Sequence, residues 1–295
     1  MTRPALSALR AIEIIDFMSQ APSQAFTLTE LVRHTGTNVA SLHAILNVLM
    51  RRGYLVRHPV HKTYRLSPAL AAIGEAVAAN EPILAHARGA AEALARRTGL
   101  EATVLVRTGE DVICLSRSAG SPALRTSMRV GQRITLRPPL GATYYAWAEA
   151  EDIDAWIGRG DGAEPDLARA ALAMVRERGF LVTVRSPAQG EAWRTLSAKA
   201  AGSKAKAERD VTRALKELER ALYQPRSIEP AATYDVDFIT APIFDHTHQA
   251  NYSMTLNGFP GALTGDEIFR FAGLLTETCG DVMRDTGVHL VRRRA

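Results

Sequence analysis

Apolar positions in the first eighty residues recur at helical spacing and stop where a turn is needed. Leu6, Leu9, Ile12, Ile15 and Met18 repeat every three residues over 6–20, which predicts an amphipathic helix. The stretch APSQAF breaks it. Thr27, followed three residues later by Glu30, is a capping-box pair that opens a second helix of about two turns, and Gly36 stops it. Gly36 to Asn38 separate this helix from a third, which puts Val39, Leu42, Ile45 or Leu46, and Leu49 on one face and ends at Gly53. Two helices joined by a short Gly-containing turn form a helix-turn-helix. In YLVRHPVHKTYRLS the rhythm changes to alternation, with Tyr54, Val56, Tyr64 and Leu66 set among polar residues around Pro59. That predicts a hairpin, and the whole is a winged helix. Leu70, Ile73 and Val77 then share one face of a connector helix that Pro82 interrupts.

Beyond Pro82 helices and strands mix. A helix runs from Ile83 to Thr98, and EATVLVRT-GED-VICLSRS reads as two strands about a tight turn. LRTSMRVGQRITL reads as a connector and strand, PPLGATYYAWAEA and DIDAWIGRG as helices, and DLARAALAMVRERGFLVT as a helix stopped at Gly179 with a strand behind it. YDVDFITAPIFD and ANYSMTLNGF, joined by HTHQ, predict a second hairpin, and Thr264 with Glu267 caps a C-terminal helix. Antiparallel hairpins with helices packed on them describe an α+β, ligand-sensing type of domain. Residues 187–232 stand apart. In KAKAERDVTRALKELERALY, Val211, Leu215, Leu218 and Leu222 line one face of a long amphipathic helix over 204–222, read as an insertion that lies on its own domain or serves as a dimer contact or lid. The resulting domains are 1–68 (winged helix-turn-helix), 69–82 (linker helix) and 83–295 (ligand-binding half).

Composition narrows the class. The 295 residues are 46% hydrophobic and 23% charged, enough to bury a core without staples. No run of about 18 apolar residues spans a membrane, and the N-terminus lacks the apolar block of a signal peptide, which predicts a cytoplasmic chain. Cys114 and Cys279 fit no metal or redox spacing and read as buried small hydrophobes. The net charge of +5 is modest, but its distribution is not. Residues 1–80 hold eight Arg and Lys against four acids, and six of the eight lie between Arg33 and Arg65.

That charge flanks the third helix and is absent from its exposed side. Arg33, Arg51, Arg52, Arg57, Lys62 and Arg65 sit on the preceding helix, the helix end and the wing, where they suit phosphate or minor-groove contact. Asn38, Ser41, His43 and Asn47 occupy the outward side, where Asn pairs with adenine and Ser with either base pair, and Ala44 can touch a thymine methyl. Thr27 joins them at the start of the second helix. A dimer would carry two such helices about one DNA turn or a multiple apart, which predicts a palindromic operator on double-stranded DNA.

The stretches TLTELVRHTG, ASLHAILNVLMRRGYLVR and TYRLSPALAAIG, followed by LRTSMRVGQRITL, GATYYAWA, VRERGF and FITAPIFD, resemble the IclR family of bacterial transcriptional regulators over nearly the whole chain apart from the insertion. The resemblance implies a GAF-like α/β effector-binding domain, homodimers that pair into tetramers, and control of a catabolic or metabolic operon by an organic or aromatic acid. Family reading helices often carry His-Arg where this chain has His43-Ala44, so one customary basic contact is missing. The resemblance also implies an effector pocket lined by Leu124, Thr126 and Met128, by Gly141 and Ala142, and by Asp237, Thr240, Thr255 and Asn257. A Gly before a helix leaves backbone N–H groups open to an anion. Thr255 and Asn257, two apart on a strand, face one side and suit a carboxylate or hydroxyl. Arg125 is either an ion-pair partner for an acid or an exposed structural residue. No cofactor and no metal is expected.

Two other readings remain open from the residues alone. Asp245, His246 and His248 are metal-capable, which would make the chain a metal-dependent hydrolase with a winged-helix appendage, although the turn offers no fourth ligand nearby. A winged helix can also serve as a protein-interaction module. No Ser, Cys or Lys stands in a recognisable nucleophile setting, and there is no Gly-rich phosphate loop.

Overall fold

The structure, a computed structural model, describes residues 5–119, 128–160, 164–185 and 224–288. Leu124, Arg125 and Thr126, and the helix expected over 204–222, lie outside these residues. The first half contains α1 (Leu6–Ser19), α2 (Leu28–Thr35), α3 (Val39–Arg51), β1 (Leu55–Arg57) and β2 (Tyr64–Leu66). Side-chain caps set its helix starts. The Glu30 N–H donates to the Thr27 hydroxyl while the Thr27 N–H donates to the Glu30 carboxylate, the reciprocal capping box. Gly36 ends α2 at φ 63°, a left-handed conformation that favours glycine. Two residues on, Asn38 Oδ1 accepts from the Ser41 N–H at 2.8 Å and opens α3. Ile14, Met18, Leu31, Leu42, Leu46, Leu49, Leu55 and Tyr64 meet in the core between these elements. Phe26 and Tyr64 exchange two backbone hydrogen bonds, 2.8 and 2.7 Å, which tie the α1–α2 loop to the wing.

Three sequence expectations shift. On α1 the buried residues are Ile14 and Met18, while Leu6, Leu9 and Ile12 are 49%, 44% and 57% exposed. Val39 is exposed at the first turn of α3, and the inward residue of β1 is Leu55, with Tyr54 and Val56 half-buried. Spacing reveals a stripe, but the neighbouring element decides which stripe meets the core. The linker helix α4 (Leu70–Asn80) buries no residue at all. It ends at Glu81, whose backbone (φ −126°, ψ 73°) leaves the helix, and Pro82 opens α5 (Pro82–Thr98).

The second half is built on one antiparallel sheet in the order β5-β4-β3-β9-β8-β6. Its strands are β3 (Glu101–Thr108), β4 (Asp111–Ala119), β5 (Arg133–Thr135), β6 (Leu181–Val184), β8 (Val236–Ile243) and β9 (Tyr252–Asn257), and β7 (Thr233–Tyr234) pairs separately with β10 (Leu263–Thr264). Ala102 and Val104 of β3, Ile239 and Ala241 of β8, and Met254 and Leu256 of β9 pack against α5 and α9 (Gly265–Asp285). Side chains alternate across a strand, so the intervening positions face away from those helices. On that other side α6 (Ala142–Tyr145), α7 (Ala150–Ile157) and α8 (Pro165–Arg178) enclose a second core around Trp156, Leu136 and Leu172. The two halves also touch directly, where Arg133 of β5 lies 3.8 Å from Asp16 of α1.

The end of the expected insertion is not helical. Residues 224–232 run irregularly, with Ile228 in the core and the carbonyls of Pro225 and Arg226 accepting from Arg178 at 2.9 and 2.7 Å. Pro225 and Pro230 each remove a helix donor there. This strand of chain then passes over the start of α9, where the N–H groups of Gly265 and Asp266 donate to the carbonyls of Ala232 and Pro230. A Cβ on Gly265 would overlap the Glu229 carbonyl, whereas one on Gly273 in the same helix would meet nothing within 4 Å. Gly265→Ala is therefore expected to destabilise the chain by about 1–3 kcal/mol, as overpacking does. Gly273→Ala should instead stabilise it by about 0.4–1 kcal/mol through the unfolded chain. Thermal and urea unfolding of the two variants will check the opposite signs.

Candidate functional site

In the first half the site is the outward side of α3 with its flanks. His43 and Ala44 are exposed and Ser41 and Asn47 half-buried. One helical turn apart, Asn47 Nδ2 and His43 Nδ1 lie 3.1 Å from each other, so the two expected reading side chains hold one another in place. Asn38 uses its Oδ1 as the cap of α3 and keeps its amide N–H groups outward. The Thr27 hydroxyl accepts from the Glu30 N–H and donates to the Glu30 carboxylate at 2.8 Å, so its side chain is committed to the helix start.

Around this helix stand the basic residues. Arg33, Arg51, Arg52, Arg57, Lys62 and Arg65 are all exposed, and none forms an ion pair among the described residues. Arg57 extends over the Tyr64 ring, 5.4 Å from its centroid. At the wing tip Lys62 takes φ 56°, and its Nζ donates to the Pro59 carbonyl at 2.5 Å. His58 Nδ1 accepts there from the N–H groups of Val60 and His61. Six cations without an ion pair among the described residues thus surround this helix. Its outward side is uncharged and mixes His43, Ser41 and Asn47 with exposed Val39, Ala44 and Val48, an arrangement suited to phosphate neutralisation at its flanks.

In the second half strand register assembles a polar surface on the side of the sheet opposite α5 and α9. Thr103 of β3 lies directly opposite Thr255 of β9, and Thr255 opposite Thr240 of β8. The Thr255 hydroxyl donates to Thr240 Oγ1 at 2.8 Å, and Thr240 donates to the Met254 carbonyl at 3.1 Å. One step along, Glu101 lies opposite Asn257. One step the other way, the Ser253 hydroxyl and the Tyr144 hydroxyl of α6 are 2.6 Å apart, and burial pushes the Tyr144 phenol pKa up. Glu101 is fully buried. One of its oxygens pairs with Arg117 of β4 and the other, Oε1, has no hydrogen-bond partner among the described residues.

The expected effector residues therefore separate. Thr240, Thr255 and Asn257 fall together on the polar side of the sheet. Asp237 sits near its edge at the β6–β8 bulge. Burial pushes its pKa up, against Arg185 at 3.6 Å, which pulls it down. Met128 is buried, with its carbonyl 3.9 Å from Cys114 Sγ. Gly141 and Ala142 sit against the second core. A Cβ on Gly141 would crowd Leu136 and Trp156 at 3.2 Å, Ala142 is fully buried in the second core, and the helix they open is a single turn. Glu101, Thr103, Arg117, Ser253 and Tyr144 did not emerge from sequence reasoning. The available signal was the alternation in EATVLVRT, which sets Glu101 and Thr103 on one face of a strand otherwise buried on both.

The remaining candidates resolve locally. Asp245 Oδ1 accepts from Thr247 and from the Gln249 N–H, and its Oδ2 accepts from Asn251 at 2.7 Å. Burial alone would raise its pKa, but these hydrogen bonds hold it below the usual carboxylate range. Asp245 is thus the closing element of the β8–β9 turn, which weakens the metal reading of this turn. Among the described residues no cluster of three His, Cys, Asp or Glu could hold a metal ion. Burial pushes the thiols of Cys114 and Cys279 up to about 12, as expected for small buried hydrophobes. No helix among the described residues is long and apolar enough to cross a membrane.

Comparison with known proteins finds the same domain and fold elsewhere. Residues 7–59 match the family model of the IclR helix-turn-helix domain. The HTH-type transcriptional regulator XynR of Escherichia coli is 24% identical over 196 residues, which cover 62% of this chain and 76% of XynR. An IclR transcriptional regulator from Alicyclobacillus acidocaldarius superposes with a TM-score of 0.68 at 18% identity, covering 96% of this chain and 99% of the other. An IclR homolog from Microbacterium hydrocarbonoxydans, solved in complex with 4-hydroxybenzoate, superposes with a TM-score of 0.63 at 14% identity over 96% of this chain and all of the other.

If Arg51 and Arg52 neutralise backbone phosphates, Arg51→Ala or Arg52→Ala will weaken binding to every DNA sequence alike. Each should reduce the slope of log affinity against log salt by about 1. Fluorescence anisotropy with specific and scrambled duplexes at several salt concentrations measures both. An unchanged slope in both variants would remove the phosphate assignment.

Proposed function

We propose that this chain, a transcription regulator with an IclR helix-turn-helix domain, binds a palindromic operator as a cytoplasmic dimer or dimer of dimers. It controls a catabolic or metabolic operon in response to a small organic or aromatic acid. The observation that carries the DNA reading is the set of six exposed cations, without an ion pair among the described residues, flanking an uncharged outward side of α3 that carries Asn38, Ser41, His43 and Asn47. Gel shifts and footprinting on the DNA upstream of its own and neighbouring genes test it. Binding without a steep loss at higher salt would favour a protein-interaction module instead.

Self-association is supported by apolar surface left exposed among the described residues. Ile73 and Val77 of α4 are 47% and 50% exposed, and Leu6, Leu9 and Ile12 of α1 form a second uncovered stripe. Contiguous exposed apolar area of this kind marks an interface, and a two-fold axis through it would set the two reading helices on half-sites of a palindrome. Ile73→Glu with Val77→Glu should convert the chain to monomers in analytical ultracentrifugation. Those monomers should lose most operator affinity yet keep the far-UV circular dichroism of the parent chain, because neither side chain is buried within the protomer, while their unfolding temperature falls by what association contributed.

The effector reading rests on the polar rows of the sheet, and the bound 4-hydroxybenzoate of the Microbacterium homolog makes hydroxylated aromatic acids the first to screen by thermal shift. A route to the DNA-binding half starts on the same strand. β9 presents Thr255 and Asn257 on one face and Tyr252 on the other, and the Tyr252 hydroxyl donates to Glu81 at 3.0 Å, the residue where α4 breaks from α5. Burial and this bond to a carboxylate push the phenol up to about 12, so it stays a donor across physiological pH. A ligand shifts DNA affinity only if it binds one arrangement better than the other. Tyr252→Phe is expected to leave effector and operator affinities nearly intact while shrinking the effector's influence on operator binding from the roughly 5- to 150-fold usual for coupled sites toward none. Anisotropy titrations with and without effector measure that ratio.

A further inference from the structure

We infer that the effector is a hydroxylated molecule that donates a hydrogen bond to Glu101, and that this carboxylate sets the ligand class. The inference rests on reading the polar side of the sheet as the effector site. Glu101 is 0% exposed, its Oε2 engaged by Arg117, and its Oε1 buried without a partner among the described residues. A buried carboxylate oxygen left unpaired is costly, and native structures leave few such groups without a reason. The groups around it divide in two. Thr255 donates to Thr240 and Thr240 to the Met254 carbonyl, and Ser253 and Tyr144 bond each other. By contrast, the Asn257 amide opposite Glu101 and the Thr103 hydroxyl two residues along the strand make no side-chain hydrogen bond among the described residues. Satisfied pairs thus border an unsatisfied cluster of one carboxylate oxygen, one hydroxyl and one amide.

Charge selects what fits it. An ionised carboxylate accepts and does not donate, so Oε1 requires a donor. Arg117 already supplies the countercharge, so a ligand ammonium would bring a surplus cation into a buried site, and a ligand carboxylate would meet Oε1 as a like charge. A neutral hydroxyl donates without either penalty, and Thr103 and Asn257, each donor and acceptor, can take a second hydroxyl or the first one's lone pair. A site built this way rejects the analogue lacking the hydroxyl more strongly than its size difference suggests, because its own polar groups stay unpaired. An acid effector would then place its hydroxylated end, not its carboxylate, at Glu101.

Isothermal titration of the full chain with matched pairs tests this. Suitable pairs are phenylacetate with 4-hydroxyphenylacetate, butanoate with 3-hydroxybutanoate, and cyclohexanecarboxylate with its 3,4,5-trihydroxy derivative. In at least one pair the hydroxylated member should bind about tenfold or more tighter, the scale of a hydrogen bond to a charged group. Glu101→Met should erase that preference. Asn257→Ala, which leaves the Glu101–Arg117 pair intact, should weaken only the hydroxylated member and decides the matter if Glu101→Met does not fold. Deoxy members binding as tightly as their partners, a preference that survives both substitutions, or binding by no member of any pair would overturn the inference. Operator binding by the unmodified chain is measured alongside. Its loss would overturn the regulator reading, whereas its presence with any of those three outcomes overturns only the role of Glu101.

Discussion

Successive side chains of a β-strand leave on opposite sides, and in the second half of this chain one side is fully taken. Burying Ala102, Val104, Ile239, Ala241, Met254 and Leu256 under α5 and α9 commits the residues between them to the other side, whatever their chemistry. That commitment stacks Thr103, Thr255 and Thr240 into one row and Glu101 with Asn257 into the next. A slip of one residue in the register of β9 would exchange Met254 and Leu256 for Thr255 and Asn257, losing the core and the site together. The apolar packing therefore fixes the polar site, and the site needs no stability of its own to stay assembled.

The first half divides labour by a different geometry but for the same reason. Leu42, Ile45, Leu46 and Leu49 spend the inner side of α3 on the core, which leaves only its outward side for a partner. Cations there would gain affinity for any duplex, since phosphates are everywhere, and would add little discrimination. Placing Arg51 and Arg52 at the helix end and Arg57, Lys62 and Arg65 on the wing keeps that affinity while the helix presents His43 and Asn47, already bonded to each other, in a defined orientation. Ala44, lying between them in sequence, is exposed and offers only a methyl group.

What the sequence made legible was local. The caps at Thr27 and Thr264, the stops at Gly36, Gly99 and Gly179, and the tight hairpin at Gly109 all depend on residues within one turn of each other, and each sits where its pattern indicates. The winged helix was legible for the same reason, being a succession of short elements. Partner-dependent features were not. Leu6, Leu9 and Ile12 have the spacing of a core stripe and face outward, because α2 and α3 cover the Ile14–Met18 side of α1. Glu101 and Arg117 are sixteen residues apart in sequence, and Glu101 and Asn257 are brought together only by the pairing of β3 with β9. No local window contains that register. The surroundings of Gly141 were hidden for a related reason, since Trp156, which a Cβ there would crowd, comes from another helix.

Communication between the halves follows from how stiff each connecting piece is. Within the sheet β9 is held on both sides, by β3 and β8, so it moves as part of a body and not as a free strand. The connector is the opposite case: α4 buries nothing in its own protomer, and its backbone breaks at Glu81. Packed cores resist continuous deformation, and an α4 unburied within its own protomer can take up a new orientation without repacking the core of either half. Tyr252 reaches Glu81 at this break, from the face of β9 opposite Thr255 and Asn257. If the effector binds at Thr255 and Asn257 as proposed, a shift of a fraction of an ångström there would be enlarged by the length of α4 before it reached α3. The same strand alternation that builds the polar rows thus sets Tyr252, one residue out of phase, against the break between α4 and α5.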